Sequence, residues 1–250
     1  MILLIDAGNT RIKWAVIDGE NWVSVGVMPH DSATTALRAI VKENPLLTHV
    51  LCANVAGLKL AENIRAAFDD SGLEFEWLQA STYCCGVSNH YENPAQLGVD
   101  RWAAVIGAHA LHQGACLVVN AGTATTIDIL DADGNFQGGM ILPGKYLMRQ
   151  ALSRFTAQLP LSDGNFTNTP RNTADAIFSG CMVAHIGAIE HMFNAAIAGM
   201  KNATCVLSGG AGSTVAAYLG IPCTYVENLV LKGLYIIARD SMGQQQDMLS

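Results

Sequence analysis

The sequence predicts an α/β protein built from two similar domains, and three observations carry that reading. Strand and helix signals in the first half run βββαβα and then strand, the order of an α/β unit. The opening of that half recurs 114 residues further on, where Asp6-Ala-Gly-Asn9 aligns with Asn120-Ala-Gly-Thr123. The chain has 250 residues, half of them hydrophobic, which exceeds one small domain and suffices for two cores.

The first half begins with a short apolar run, residues 2–6, ending in Asp6-Ala-Gly-Asn-Thr10. Residues 11–17 alternate, with Ile12, Trp14 and Val16 against Arg11, Lys13 and Ala15, which is the period of a strand. Asp18-Gly19 is a hairpin turn signal, and residues 22–28 form a third strand. Helical spacing covers 32–43 and 58–70, with strands at 49–53 and 74–78. A helix opens after Gly98 and runs to about Leu111.

The second half repeats the pattern. Leu117-Val-Val119 leads into Asn120-Ala-Gly-Thr123, an alternating strand covers 124–130, Asp133-Gly134 turns the chain, and a strand runs from 135 to 142. Strand, Ala-Gly turn, strand, Asp-Gly turn and strand recur in the same order. This reads as an internal duplication with its boundary near 113–115, giving domains 1–114 and 115–250. A helix at 144–155 and a polar loop at 160–172 follow. A long helix, 173–198, is apolar on nearly every side and belongs in a core or a subunit interface. A strand at 203–208 enters Gly209-Gly-Ala-Gly212, and helix 213–219, strand 223–226 and helix 229–240 complete the order. The Gln-rich tail from Gly243 reads as frayed.

Composition narrows the function. The net charge is −7, and Lys and Arg form no block, so neither nucleic acid nor an anionic membrane surface is an expected partner. The start, Met1-Ile-Leu-Leu-Ile-Asp6, does not read as a signal peptide, and no apolar stretch approaches the roughly 18 residues of a membrane helix. Seven cysteines without a Cys-x-x-Cys pair fit free thiols and a cytoplasmic location. Cys84 and Cys85 are adjacent, a spacing that rarely forms a structural bridge.

Three segments offer chemistry. In the first turn, Gly8 lets the backbone approach a ligand, and Asn9 and Thr10 offer donors beside turn amides. Asp6 could hold a hydrated magnesium ion, which keeps its waters and takes one or two carboxylates, and Lys13 could reach a phosphate. Alone, the turn reads as a hairpin capped by Asn and Thr. Its echo in the second half makes two phosphate-friendly hairpins, the makings of a nucleotide cleft. In Gly98-Val-Asp-Arg101, Asp100 is either a first-turn helix charge or a proton acceptor, and Arg101 could bind an anion. Gly209-Gly210-Ala211-Gly212 suits close packing against a purine and ribose, though such turns are frequent. His109 and His112 have no carboxylate partner at metal spacing and read as ordinary helix residues.

Together these segments resemble the type III pantothenate kinases, members of the acetate kinase–sugar kinase–heat-shock–actin superfamily. The matching residues are Asp6 to Lys13, Tyr91 with Asn93-Pro94, Gly98 to Arg101, Ala121-Gly-Thr-Ala124, Gly138 to Gly144, Thr173 to Ile177 and Ser208-Gly-Gly210. Each is weak alone; the ordered set, spanning nearly the whole chain, is specific. The resemblance implies two actin-like (RNase H-like) domains with a nucleotide cleft between them, a homodimer, and transfer of the ATP γ-phosphate to the terminal hydroxyl of pantothenate. It assigns the ATP phosphates to Asp6, Ala7, Gly8, Asn9, Thr10, Arg11, Ile12 and Lys13, with Thr123 also contacting ATP. It assigns pantothenate to Tyr91, Gly98, Val99, Asp100, Arg101 and Thr173, and makes Asp100 the proton acceptor. Without the resemblance, Thr173 reads as an N-cap of the long helix.

One position departs from the family pattern. The second hairpin usually carries Asp-x-Gly-Thr, whose Asp ligates potassium or ammonium, and here the residue is Asn120. The expected cofactors are therefore Mg-ATP, with a monovalent cation in doubt. Two other readings stand beside the kinase. One is a regulatory or accessory protein that keeps the fold without turnover, as described for some relatives; intact Asp6, Lys13, Asp100 and Arg101 argue against it. The other is a sugar or acetate kinase of the same superfamily, against which the Gly-Val-Asp-Arg segment and short length argue.

Overall fold

The computed structural model describes residues 1–159, 161 and 163–248, with side chains described as far as Gly243. The chain divides into two compact units, Met1–Ala110 with Leu229–Ser250, and Leu111–Asn228. In chain order the first unit contributes β1 (Ile2–Ala7), β2 (Ile12–Asp18), β3 (Asn21–Met28), α1 (Ala33–Glu43), β4 (His49–Asn54), α2 (Leu58–Arg65), β5 (Glu74–Trp77), β6 (Tyr83–Cys84), β7 (Val87–Asn89) and α3 (Val99–Leu111). The second contributes β8 (Cys116–Ala121), β9 (Ala124–Leu130), β10 (Asn135–Pro143), α4 (Lys145–Phe155), α5 (Thr173–Ala196), β11 (Thr204–Ser208), α6 (Gly212–Ala216) and β12 (Cys223–Tyr225). Helix α7 (Leu229–Met248) returns to the first unit.

The sheet of the first unit has the order β3-β2-β1-β4-β5. The first three strands are antiparallel, while β4 and β5 run parallel to β1. Strands β1 and β4 are buried along most of their length, because helices cover both sides. Leu3 and Ile5 face Leu37, Ile40, Leu60 and Ile64 of α1 and α2. The neighbouring side chains point to the opposite side, where α7 lies against β1 and β4.

The second unit repeats this plan. Its strands run β10-β9-β8-β11-β12, again an antiparallel set of three followed by two parallel strands. Strand β8 begins and ends 114 residues after β1, so the duplication read at that offset is present in the topology. Helix α5 is long and apolar enough to cross a membrane by length and composition. It instead packs Met182, Ile189, Met192 and Phe193 onto Leu117, Val119 and Ile127 of the sheet.

A single cut at 114/115 places the C-terminal helix in the second domain; the structure places it in the first. The apolar face of α7, with Leu231, Leu234 and Ile237 buried, finds its sheet there. The helix also continues past residue 240 to Met248, so the tail expected to fray is helical, and Leu249 and Ser250 lie outside the described residues. Its Gln and Met residues are good helix formers. Helix α2 stops at Arg65 rather than 70, because Ala67 and Phe68 close with i→i+3 bonds and bury into the core. The 160–172 segment carries no helix or strand where described, and Pro160 and Ser162 lie outside the described residues.

Helices α3 and α7 approach closely at two glycines. A Cβ on Gly233 would run into the carbonyl oxygen of Ala103, and one on Gly107 would lie 2.9 Å from the Leu229 oxygen and the Gly233 nitrogen. These are backbone atoms, so relief requires moving a helix. Gly233→Val is expected to destabilise the chain by about 3 kcal/mol or more, the upper range for overpacking. Gly180→Ala on α5, where a Cβ meets nothing within 4 Å, is expected to stabilise by about 0.5–1 kcal/mol. Urea denaturation of the two variants beside the parent protein checks the contrast.

Candidate active site

Strand β1 delivers Asp6 to its C-terminal end, and the antiparallel register sets Lys13 directly opposite it on β2. The intervening turn holds Gly8, Asn9, Thr10 and Arg11, the last three exposed. Two bonds fix the turn from outside. Val55 N donates to Ala7 O at 3.1 Å, and His30 Nε2 bonds Gly8 O at 2.8 Å. Sequence reading missed His30, because the contact joins residues 22 apart and leaves no periodic trace.

Asp100 stands in the first turn of α3. Its Oδ1 accepts the Arg101 N–H at 2.8 Å, and a Cβ on Gly98 would come within 2.8 Å of the same oxygen. Glycine at 98 is therefore what leaves the carboxylate its place. Arg101 is 5% exposed, and its guanidinium donates through Nη1 to Tyr91 Oη at 3.3 Å and lies 5.6 Å from the Tyr91 ring centroid. Asn89 positions Tyr91: its Oδ1 accepts the Tyr91 N–H at 3.1 Å while its Nδ2 donates to Ser81 O at 3.0 Å. The β6–β7 hairpin that carries Asn89 was not foreseen, since two- and three-residue strands are too short to show alternation.

Electrostatics join the two segments. Burial pushes the Asp6 carboxyl up to about 7; the Lys13 charge draws it down, and the Asp100 charge pushes it further up. Burial likewise raises Asp100, against the Arg101 backbone bond and charge. The first unit thus assembles two carboxylates that feel one another, a lysine, a buried arginine and a tyrosine. Buried carboxylates are costly, and such groups gather where cations or protons are handled.

The second unit places its predicted residues at the corresponding turn. Asn120 is the penultimate residue of β8, and Gly122 N donates to Ala124 O at 3.0 Å, closing the hairpin that carries exposed Thr123. Thr123 O accepts from Gly144 N at 2.9 Å, which ties the turn to the start of α4. Gly209, at φ +91°, passes so close that a Cβ would lie 2.7 Å from Asn120 Oδ1. Thr173 is the exposed first residue of α5 and does not cap it. Asn172 is the N-cap, accepting from Asp175 N at 2.9 Å. Thr173 is thereby left out of the capping bond. Among the described residues no group of three His, Cys, Asp or Glu side chains is arranged to hold a metal.

The fold is the two-domain α/β fold of the actin-like and sugar-kinase proteins. MreB5 of Spiroplasma citri, solved bound to ADP, superposes with a TM-score of 0.55 at 10% identity, covering 98% of both chains. The family within that class is fixed by sequence. The model of type III pantothenate kinase matches residues 2–195. The type III pantothenate kinase of Aromatoleum aromaticum is 57% identical over 240 residues, 96% of this chain and 98% of that one. That of Azoarcus sp. is 51% identical over 240 residues, 95% and 90% of the two chains. The chain belongs to the type III pantothenate kinase family, transferases that phosphorylate pantothenate with ATP on the way to coenzyme A.

Proposed function

We propose that Asp100 is the proton acceptor of this transfer, with Tyr91 and Arg101 holding pantothenate and the Asp6–Lys13 turn holding the ATP phosphates. The observation that carries it is the pair of raised carboxylates, Asp6 and Asp100, set beside Lys13 and Arg101. A base held above the ordinary carboxylate range is better matched to a hydroxyl proton than an ordinary aspartate. Arg101, buried and steadied by Tyr91, offers a fixed cation for the pantothenate carboxylate. Gly98 and Val99 present backbone beside it, and Thr173 and Thr123 are assigned to pantothenate and ATP by the family pattern. In the transfer the hydroxyl oxygen attacks the γ-phosphorus in line, the bond to the β,γ-bridging oxygen breaks, and the hydroxyl proton goes to Asp100. An ADP-release assay run with and without pantothenate tests the activity; turnover that does not depend on pantothenate would overturn it.

Asp6 fits magnesium. Its burial outweighs the Lys13 charge so far that the carboxyl rises to about 7, and a cation at that end of β1 relieves the imbalance. Magnesium there would neutralise phosphate charge. The second hairpin fits a monovalent cation less well, because Asn120 offers a neutral carbonyl oxygen. A carboxylate 4 Å from such a cation contributes a gross attraction of roughly 4 kcal/mol at an effective dielectric near 20, part of it cancelled by desolvation. Potassium or ammonium is therefore expected to stimulate this enzyme only weakly, and Asn120→Asp to strengthen the response. Titrating potassium against sodium chloride at fixed ionic strength decides the matter. Strong activation of the parent protein at low potassium, unchanged in Asn120→Asp, would count against it.

We place the enzyme in the cytoplasm as a homodimer. All seven cysteines are free thiols, as suits a reducing compartment. Apolar side chains stand exposed on α4 and α5, with Phe155 79%, Tyr146 57% and Val183 56% accessible, and a second copy would cover them. Light scattering at micromolar concentration should give twice the chain mass, and a monomer would refute the dimer.

A further inference from the structure

We propose that Cys84 and Cys85 form a modification site, a dithiol that hydroperoxides convert to a vicinal disulfide and that dithiol reductants restore. The two sulfurs lie 3.4 Å apart and both residues are half-buried, in contact with one another and open to a small oxidant. They occupy the tip of the β6–β7 hairpin, where Cys84 pairs with Val87 and Cys85-Gly86 makes the turn. Cys85 has φ 50° and Gly86 φ 83°. Positive values at both central residues belong to the turn type that favours Asn-Gly. The other two non-glycine residues with positive φ among those described are both asparagines, Asn202 and Asn228. A cysteine held where asparagine fits better points to a use for its thiol.

The surroundings favour this pair over the other thiols. The contact with Cys85 holds the Cys84 thiol below its ordinary value, against burial and the Asp240 charge, and the same contact pushes Cys85 up. His109 faces the turn from α3, where a Cβ on Gly86 would lie 3.2 Å from its Nε2, and Asp240 faces it from α7. By contrast Cys52, Cys116, Cys181 and Cys205 are buried and pushed up by that burial. Cys223 makes its contact with the Ala216 carbonyl at 3.9 Å.

The chemistry balances in two steps. The Cys84 thiolate attacks one hydroperoxide oxygen, the O–O bond breaks, and the departing alkoxide takes a proton to become an alcohol, leaving Cys84 as a sulfenic acid. The Cys85 sulfur then attacks the Cys84 sulfur; the S–S bond forms, the S–O bond breaks, and hydroxide leaves with the Cys85 proton as water. The pair gives up two electrons, which the hydroperoxide accepts. Neighbouring Cα atoms sit about 3.8 Å apart, below the ~4.4–6.8 Å of relaxed disulfides, so the product is strained and readily reduced. That strain suits a reversible mark and not a structural bridge.

Closing the sulfurs to about 2.05 Å reshapes the hairpin tip. Asn89, at the end of β7, passes the change to Tyr91 through its 3.1 Å bond, and Tyr91 steadies Arg101. The effect on turnover rests on the reading of Tyr91 and Arg101 as pantothenate contacts; the modification itself does not. The intact protein is treated with hydrogen peroxide, blocked with N-ethylmaleimide and mapped by mass spectrometry. The Cys84–Cys85 peptide is expected to lose two hydrogens and to take no maleimide until dithiothreitol restores both. KM for pantothenate should rise roughly tenfold in the oxidised protein, within reach of a small displacement in a binding site. Cys85→Gly, which suits the turn, should keep basal activity and lose this response. Two maleimide-reactive thiols after treatment would overturn the site, and a disulfide with unchanged KM would overturn its hold on the substrate.

Discussion

Asp100→Asn is expected to lower kcat by about 100-fold or more while the protein stays folded, the scale set by loss of a general base. The substitution conserves shape. An asparagine Oδ1 can still accept the Arg101 N–H that Asp100 accepts at 2.8 Å, so the start of α3 keeps its bond. It cannot take a proton from a hydroxyl. Arg101 and Tyr91 remain in place, so KM for pantothenate should move far less than kcat, the signature of an interaction realised in the transition state. In the parent enzyme the base works only when ionised. Activity should therefore decline as pH falls through the raised Asp100 value. Steady-state kinetics of the folded variant decide the point, and near-parental kcat would remove Asp100 from the mechanism.

Asp6→Asn is expected to abolish most activity and yet to stabilise the protein at alkaline pH when no nucleotide or magnesium is present. The reason is the direction of its shift. The folded state raises the Asp6 carboxyl from its ordinary value of 3.8 to about 7, so between those limits the native chain holds a proton that the unfolded chain releases. Stability from this group is complete below the unfolded value and is lost as pH rises through about 7. A carboxyl raised from the ordinary range to about 7 corresponds to roughly 4 kcal/mol, and relaxation around the charge halves this to about 2 kcal/mol. Asparagine imitates the protonated form at every pH. The variant should therefore match the parent near pH 4 and exceed it by several degrees in Tm at pH 8. Thermal melts across that range check the prediction, and a constant difference between the two proteins would show that Asp6 does not titrate as described. The same imbalance is what a bound cation corrects, so function here rests on a residue that weakens the empty fold.

Much of the architecture was legible in the order of residues. Strands such as 124–130 announce themselves by alternation, and the Asp-Gly turns at Asp18-Gly19 and Asp133-Gly134 by local chemistry. The duplication at an offset of 114 recurs as the same order of five strands in each unit. These features are periodic or local, and each is decided by a few neighbouring residues. The order of motifs from Asp6 to Ser208 likewise identifies the family, because it is a property of the chain as written.

Other features depend on residues far apart in sequence. Helix α7 joins the first unit because its apolar face meets β1 and β4, more than 170 residues upstream, which no window of sequence contains. The closeness of α3 to α7 is visible only once Gly107 and Gly233 face one another. His30 reaches Gly8, and Asn89 secures Tyr91, through single hydrogen bonds that carry no pattern. The sequence by itself determined the strand and helix order, the repeat and the family. Tertiary structure decided which carboxylate titrates near neutrality and which thiols meet, because burial and the field of distant charges arise only when the chain closes on itself.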